Sequence, residues 1–165
     1  MSIADSIAKL GPVMIAIYVA WLGRQQFEAT RQKLRLDLYD RRFAIYAATL
    51  DWYQALLSGP QIRADLREVQ RDFIKAVRES RFLFGADSTI VEILDDMNKR
   101  SFRILGFRDS QGIAKADPEL YQRLFKQQAD DVQWFGSASG MQALEKEMMP
   151  FLDFRRVGGL SRSIH

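Results

Sequence analysis

Side chains that commonly perform catalysis are scarce in this chain of 165 residues. It has no cysteine, which excludes disulfide bonds, thiolate catalysis and the usual zinc sites. Its single histidine is His165, the last residue, and a terminal side chain is rarely held firmly enough to act as a general base. We therefore predict a protein that is not an enzyme and that binds neither a metal nor a cofactor.

Motifs for phosphate binding and carboxylate chemistry are missing as well. The loop "GSASG" at 136–140 lacks the Lys-Ser/Thr end of a phosphate-binding loop, so it is interpreted as a helix junction. Adjacent acids occur at Asp95 and Asp96 and again at Asp130 and Asp131. Neighbouring residues on a helix point about 100° apart, so both pairs are interpreted as solvated helix faces. The sequence identifies no small-molecule substrate.

Composition limits the class of protein. Hydrophobic residues make up 47% of the chain and charged residues 27%, which is typical of neither a disordered chain nor a multi-span membrane protein. The net charge of +3 is too small an excess to indicate nucleic-acid binding. Because no strand pattern, internal repeat or low-complexity segment is present, we predict an all-α fold.

Charge is absent from one run, "LGPVMIAIYVAWLG" at 10–23. The 20 residues from Ile3 to Leu22 are enough for a helix that crosses a bilayer. A soluble core helix and a cleaved signal peptide are the alternatives, although "AWLGRQQ" is a poor cleavage site. We predict that residues 1–23 form a transmembrane anchor, with Tyr18 and Trp21 at one interface. The residues that represent the span are Ile3, Leu10, Pro12, Met14, Tyr18, Trp21 and Leu22.

Basic residues follow the apolar run but hardly precede it. Lys9 stands before the run, whereas six basic residues follow soon after it: Arg24, Arg31, Lys33, Arg35, Arg41 and Arg42. The positive-inside rule then places the N-terminus outside and the body in the cytoplasm. Ala16, Ala20 and Gly23 are small residues at a spacing that lets helices pack closely within the span.

A long helix is predicted after the anchor, because residues 24–58 contain neither proline nor glycine. Its apolar residues follow a heptad spacing that we call the heptad seam: Leu36, Tyr39, Phe43, Tyr46, Leu50, Tyr53 and Leu57. A second apolar line runs beside the seam through Leu34, Leu38, Ile45, Trp52 and Leu56. The wide apolar arc favours a bundle over a two-stranded coiled coil. We expect the anchor and this helix to be continuous from about residue 3 to 57.

Three more helices and a terminal segment are predicted. One helix covers 61–84, a second covers 89–105, and a third starts at the N-cap Asp117 with Pro118 and reaches about Phe135. "GSASG" then breaks this helix or turns the chain before 141–152, while 106–116 is predicted to be a loop. The expected domains are the anchor 1–23, a cytoplasmic bundle of about four to five helices over 24–154, and a basic flexible tail over 155–165.

A stripe of basic residues follows one face of the helix predicted at 61–84. Its members are Arg63, Arg67, Arg71, Lys75 and Arg78, spaced 4-4-4-3. Such a face is able to bind anionic lipid, an acidic partner or a nucleotide. The alternative is a solvated helix face, because acidic residues interleave with the stripe.

Three segments resemble a family of short bacterial proteins that is uncharacterised. They are "RQQFEATRQKLRLDLYDRRFAIYAAT", "SRFLFGAD" and "MMPFLDF", and the resemblance covers roughly residues 15–110 and the last helix. It implies one N-terminal transmembrane helix joined to a cytoplasmic helical domain. It implies no activity and no catalytic or ligand-binding residue.

Three functions agree with these observations. The first is a single-pass membrane protein that acts as a self-associating scaffold or as an accessory subunit of a larger membrane complex. The second is an oligomeric effector that disrupts membranes or forms pores, and the third is a soluble helical adaptor. The expected partners are membrane lipid and either further copies of the chain or a membrane complex. Apart from Ser2, Asp5, Ser6 and Lys9 near one end, the span offers no polar face for a wide pore, so the first function is preferred.

Overall fold

The computed structural model describes residues 3–58, 63–109 and 113–153, with the side chains of 14–58, 66–108, 114 and 116–153. Within these ranges every regular element is an α-helix, which confirms the all-α fold and the helical bundle. The helices in chain order are α1 (Ile3–Leu57), α2 (Arg63–Phe84), α3 (Thr89–Asp109), α4 (Ile113–Ala116), α5 (Pro118–Gly136) and α6 (Met141–Leu152).

The chain divides into two units, Met1–Leu38 and Tyr39–His165. In the first unit, the side chains from Met14 to Asp37 are all exposed. The second unit contains the hydrophobic core, to which the end of α1 and the helices α2, α3, α5 and α6 contribute. The predicted domain boundary after residue 23 depends on a membrane and stays a prediction.

The core is built from large apolar side chains that meet between the helices of the second unit. Trp52 of α1 stacks on Phe73 of α2, with ring centroids 5.8 Å apart. Leu94, Met97 and Ile104 of α3 are fully buried. The other core members with almost no exposure are Ile45, Leu56, Phe135, Leu144 and Met148.

Within the second unit, α1 turns its second apolar line toward the core. Ile45, Trp52 and Leu56 are each 1% exposed, and Thr49 joins them because its hydroxyl donates to the carbonyl of Ile45 at 2.8 Å. This internal hydrogen bond removes most of the cost of burying a polar group.

The heptad seam is therefore not the centre of the buried face, which corrects its interpretation as the bundle seam. Leu36, Phe43 and Leu57 are exposed, and Tyr39 is half-buried. Tyr46, Leu50 and Tyr53 are half-buried at the margin of the core. The seam lies roughly 100° around the helix from the second line, and its tyrosines are suited to such a margin because the ring packs while the hydroxyl meets water.

The turns follow local chemistry. Gly85 ends α2 with a φ of +89°, a conformation that glycine adopts without strain. The predicted cap of α5 is confirmed, because the Asp117 carboxylate accepts from the Leu120 amide at 2.9 Å and Pro118 is the first helical residue. α3 is capped by Ser88, whose hydroxyl accepts from the Val91 amide at 3.4 Å.

"GSASG" is a helix junction, as predicted. α5 ends at Gly136 and α6 begins at Met141. A Cβ atom at Gly140 would lie 2.4 Å from the carbonyl oxygen of Trp134, so any other residue would force the backbone apart there. The predicted loop at 106–116 is partly helical, because α3 continues to Asp109 and α4 occupies Ile113–Ala116.

Candidate functional site

The apolar run is exposed around the whole helix where its side chains are described. Large apolar side chains between Met14 and Leu22 keep 40–66% of their surface exposed. Successive residues turn by about 100°, so the run covers every side of α1 rather than one stripe. A helix segment that is apolar on all sides is typical of a buried core helix or of a membrane span. The exposed residues are Met14, Ile15, Ile17, Tyr18, Val19, Trp21 and Leu22.

The predicted span extends beyond the side chains that are described. Ile3, Leu10 and Pro12 belong to α1 by their backbone, but their side chains lie outside the described set. Among the residues that the structure describes, no helix is both long enough and apolar enough to cross a bilayer.

The small residues of the predicted span are accessible to another helix. Ala16, Ala20 and Gly23 are all exposed. A Cβ atom built at Gly23 would meet nothing within 4 Å. The predicted packing of these residues in the span requires a second helix, and it stays a prediction.

The basic stripe lies on the outward side of α2, and we call its described part the basic ridge. Arg67, Arg71, Lys75 and Arg78 are exposed, while the side chain of Arg63 lies outside the described set. These four residues fall within an arc of about 80°. The buried residues Phe73, Val77 and Ser80 of the same helix lie on the opposite side. The spacing in the sequence is thus preserved as one line of charge facing solvent.

Acidic neighbours hold the ridge only loosely. The ion pairs Arg71–Glu68 and Lys75–Glu79 both measure 3.8 Å, which is beyond normal hydrogen-bond length. Both pairs are exposed, and exposed pairs contribute about 0–1 kcal/mol. The guanidinium and ammonium groups are therefore able to leave these acids for another anion at small cost.

A phenylalanine that the sequence analysis did not single out continues the ridge. Phe82 is 89% exposed and follows Arg78 by four residues, which places its side chain on the same side of α2. The 3-4 spacing from Lys75 through Arg78 to Phe82 was visible in the sequence. Phe82 lies in the apolar segment "RFLF", and Leu83 and Phe84 of that segment do pack against the core. The sequence therefore did not indicate that Phe82 is exposed.

A second charged cluster lies between α3 and α5. Asp131 is 2% exposed and accepts hydrogen bonds at 2.7 Å from both Arg100 and Arg103. The guanidinium of Arg100 also lies over the Trp134 ring, 4.4 Å from its centroid. The interpretation of Asp130 and Asp131 as a solvated face is thus wrong for Asp131. The sequence pattern did not indicate these contacts, because Arg100 and Arg103 lie about 30 residues from Asp131 along the chain.

Two opposing effects act on the pKa of Asp131. Burial alone would raise the pKa of this carboxyl group, because it disfavours the charged form. Hydrogen bonds and charge from Arg103 and then Arg100 outweigh burial and lower the pKa below its ordinary value. The same hydrogen bond raises the pKa of Arg103. Asp131 is therefore charged at neutral pH and joins α5 to α3.

Two polar contacts tie α1 and α2 to other helices. Arg81 of α2 donates two hydrogen bonds, of 2.9 and 3.2 Å, to the carboxylate of Asp95 in α3, so Asp95 is not a freely solvated acid. The hydroxyl of Tyr46 in α1 donates to Glu145 of α6 at 3.0 Å. Burial and this hydrogen bond raise the pKa of Tyr46. Both contacts have a structural role, since each joins two helices.

Comparisons with known proteins assign no chemistry to these features. No protein-family model, curated protein or solved structure matches the chain. Across the part of the chain that the structure describes, no group of three or more acidic or histidine side chains could hold a metal ion.

Proposed function

We propose that this chain is a non-enzymatic single-pass membrane protein whose helical body acts as a self-associating scaffold or as an accessory subunit of a larger membrane complex. The exposed apolar run at 14–22 carries the proposal. In water this surface would be unfavourable by roughly 25 cal/mol for each Å². A bilayer covers all sides of such a helix at once.

The sequence around the run supports an anchor with a defined orientation. Residues 10–23 are uncharged, and basic residues are concentrated on the C-terminal side. The proposed topology has the N-terminus outside and the body in the cytoplasm of a bacterial inner membrane. Trp21 and Tyr18 would then lie near the cytoplasmic interface, where aromatic residues are enriched.

The composition of the run also favours a scaffold over a pore-forming effector. From Met14 to Leu22 the side chains are apolar or aromatic on every side of the helix. Water-filled pores need polar side chains along one face. A helix without such a face is better suited to lipid and to close packing through Ala16, Ala20 and Gly23.

Membrane fractionation with paired substitutions tests the anchor. The wild-type chain should remain in membranes after alkaline carbonate washing. Met14→Arg/Ile15→Arg should release it, because both positions lie near the middle of the span at 3–22 and each arginine there costs about 2.5–3.5 kcal/mol. The matched control is Leu34→Arg/Leu36→Arg, which changes two exposed apolar residues of the same helix outside the run and should leave the protein in membranes.

The proposal is wrong if carbonate extracts the wild-type chain, or if both double variants behave alike. Assembly is then tested on the chain that stays in membranes. The mass of the detergent-solubilised protein should exceed that of one chain, either through further copies or through a stoichiometric partner protein. A protein that purifies alone as a monomer would exclude the scaffold and the subunit function together.

A further inference from the structure

We propose that the basic ridge and Phe82 form a lipid-contact surface on α2, with the four cations bound to anionic headgroups and the phenylalanine inserted beside them. This inference extends the proposed function in one respect, because an anchor would keep the body next to a membrane. It concerns a different helix and different residues, so it is tested separately.

Charge complementarity supports an anionic partner. Arg67, Arg71, Lys75 and Arg78 present four cations on one outward line. The nearest acids, Glu68 and Glu79, lie about 60° and 80° to one side of the middle of that line. Each Lys or Arg that reaches an anionic membrane surface strengthens binding by about fivefold. The loose ion pairs at 3.8 Å offer little competition to a headgroup phosphate.

The shape of the surface favours a planar partner. The ridge runs about 22 Å along one convex helix from Arg67 to Phe82, and it does not enclose a ligand from two sides. A small anion would be held by one or two side chains at most. A bilayer surface is able to meet all four cations along the line at the same time.

Phe82 distinguishes lipid from a purely charged partner. Its ring is 89% exposed, so it contributes almost nothing to the core. Phenylalanine is among the side chains that helices on membrane surfaces bury at the boundary between headgroups and acyl chains. The broad apolar face of α2 packs in the core, so Phe82 supplies the apolar contact on the outward side. The ring at the end of the ridge would therefore enter the membrane where the cations bring α2 to its surface.

Site-directed spin labelling tests the surface directly, because the chain has no cysteine and every introduced one is unique. The full chain carrying Phe82→Cys, labelled with a nitroxide, is reconstituted into phosphatidylcholine nanodiscs with or without phosphatidylglycerol. We expect phosphatidylglycerol to raise the accessibility of the label to oxygen and to lower its accessibility to a nickel chelate. The matched site is Phe125→Cys on α5, which is 56% exposed and should report water in both lipids.

Charge reversal provides the second arm. Arg67→Glu/Arg71→Glu should abolish the lipid response of the label at 82, and so should high salt, which screens the attraction. Arg123→Glu/Lys126→Glu alters net charge equally at exposed positions of α5 and should leave the response intact. Far-ultraviolet circular dichroism should show the same helix content in all variants.

Three outcomes overturn the lipid surface. A label at 82 that stays in water in both discs excludes insertion, and equal loss of response in the two charge variants excludes a role for the ridge. Spin–spin broadening at 82 in both lipids would show that a second copy covers the site instead. If the chain fails to enter nanodiscs, the anchor is wrong. The labelled protein is then mixed with preformed vesicles of the same two compositions. The lipid surface predicts the same difference in label accessibility between vesicles with and without phosphatidylglycerol.

Discussion

At the scale of single residues, the carboxylate of Asp131 is the central polar contact between α3 and α5. It accepts three hydrogen bonds, each 2.7 Å long, from two arginine side chains. Charge-assisted hydrogen bonds of this kind are about twice as strong as neutral ones. Removing the charge would leave two guanidinium groups that are only partly exposed without their counter-ion.

Asp131→Asn should lower the free energy of unfolding at neutral pH by about 3 kcal/mol, since it breaks a largely buried charge pair. The pKa of Asp131 is lowered in the folded state, so its contribution is complete above the unfolded value of about 3.9 and is lost as pH falls through the folded value. Urea unfolding at pH 7 and at pH 3 should therefore show a smaller difference between wild type and variant in acid.

Asp130→Asn is the control for this prediction, because Asp130 is the exposed neighbour on the same helix. It should change the free energy of unfolding by no more than about 0.5 kcal/mol. Equal effects of the two substitutions, or a difference that does not change with pH, would contradict the assigned role of Asp131.

At the scale of elements, α1 has two apolar lines and buries only one of them in its last four turns. Leu56 is 1% exposed and its neighbour Leu57 is 47% exposed. Two leucines adjacent in sequence thus occupy different environments on one helix. The buried line also contains the Trp52 indole, which donates to the Ser101 hydroxyl of α3 at 3.0 Å.

Leu56→Ala should lower the free energy of unfolding by about 2–5 kcal/mol, because it leaves a cavity in the core. Leu57→Ala makes the same chemical change at the surface and should cost about 1 kcal/mol or less. Thermal or urea unfolding of the two variants gives the comparison. Equal losses in the free energy of unfolding would mean that the face of α1 that carries the heptad seam is covered in solution.

The order of the helices and most of their bounds were predictable from local patterns. The cap at Asp117, the break at Gly85 and the junction at 136–140 each depend on residues close together in sequence. The buried line of α1 was not predictable, because periodicity indicates two apolar faces and does not choose between them. Thr49 made the buried face harder to identify, because it is a polar residue that interrupts the apolar pattern of that face.

The candidate sites also divide into those that depend on local sequence and those that depend on how the helices pack. The basic ridge depends on spacing within one helix, so the sequence indicated it. The cluster around Asp131 depends on α3 packing beside α5, which brings together residues 28 and 31 positions apart. No local pattern carries that information. Phe82 was missed because exposure is decided by which side of α2 meets the core.

At the scale of the whole molecule, the two units differ in how their helices are stabilised. The second unit has a core to which five helices contribute. The described side chains of the first unit, up to Asp37, are exposed, and two of the contacts there are the helix's own, Arg24–Glu28 at 3.5 Å and Thr30–Gln26 at 2.8 Å. Isolated helical segments in water are marginally stable.

This exposed stretch of α1 has a consequence for digestion of the protein by proteases. A protease needs a locally unfolded substrate, and the stretch after the apolar run should open far more often than the bundle.

Limited trypsin treatment of the detergent-solubilised chain should cut first after Arg24, Arg31, Lys33 or Arg35. Cleavage after Arg42 should be slower, because its guanidinium lies 5.0 Å from the centre of the Phe151 ring and 5.7 Å from that of Phe84. Mass spectrometry of the early fragments should find N-termini between residues 25 and 36, and equally fast cleavage after Arg42 would contradict this order. The exposed stretch would then be the segment at which proteolysis releases the second unit from the rest of the chain.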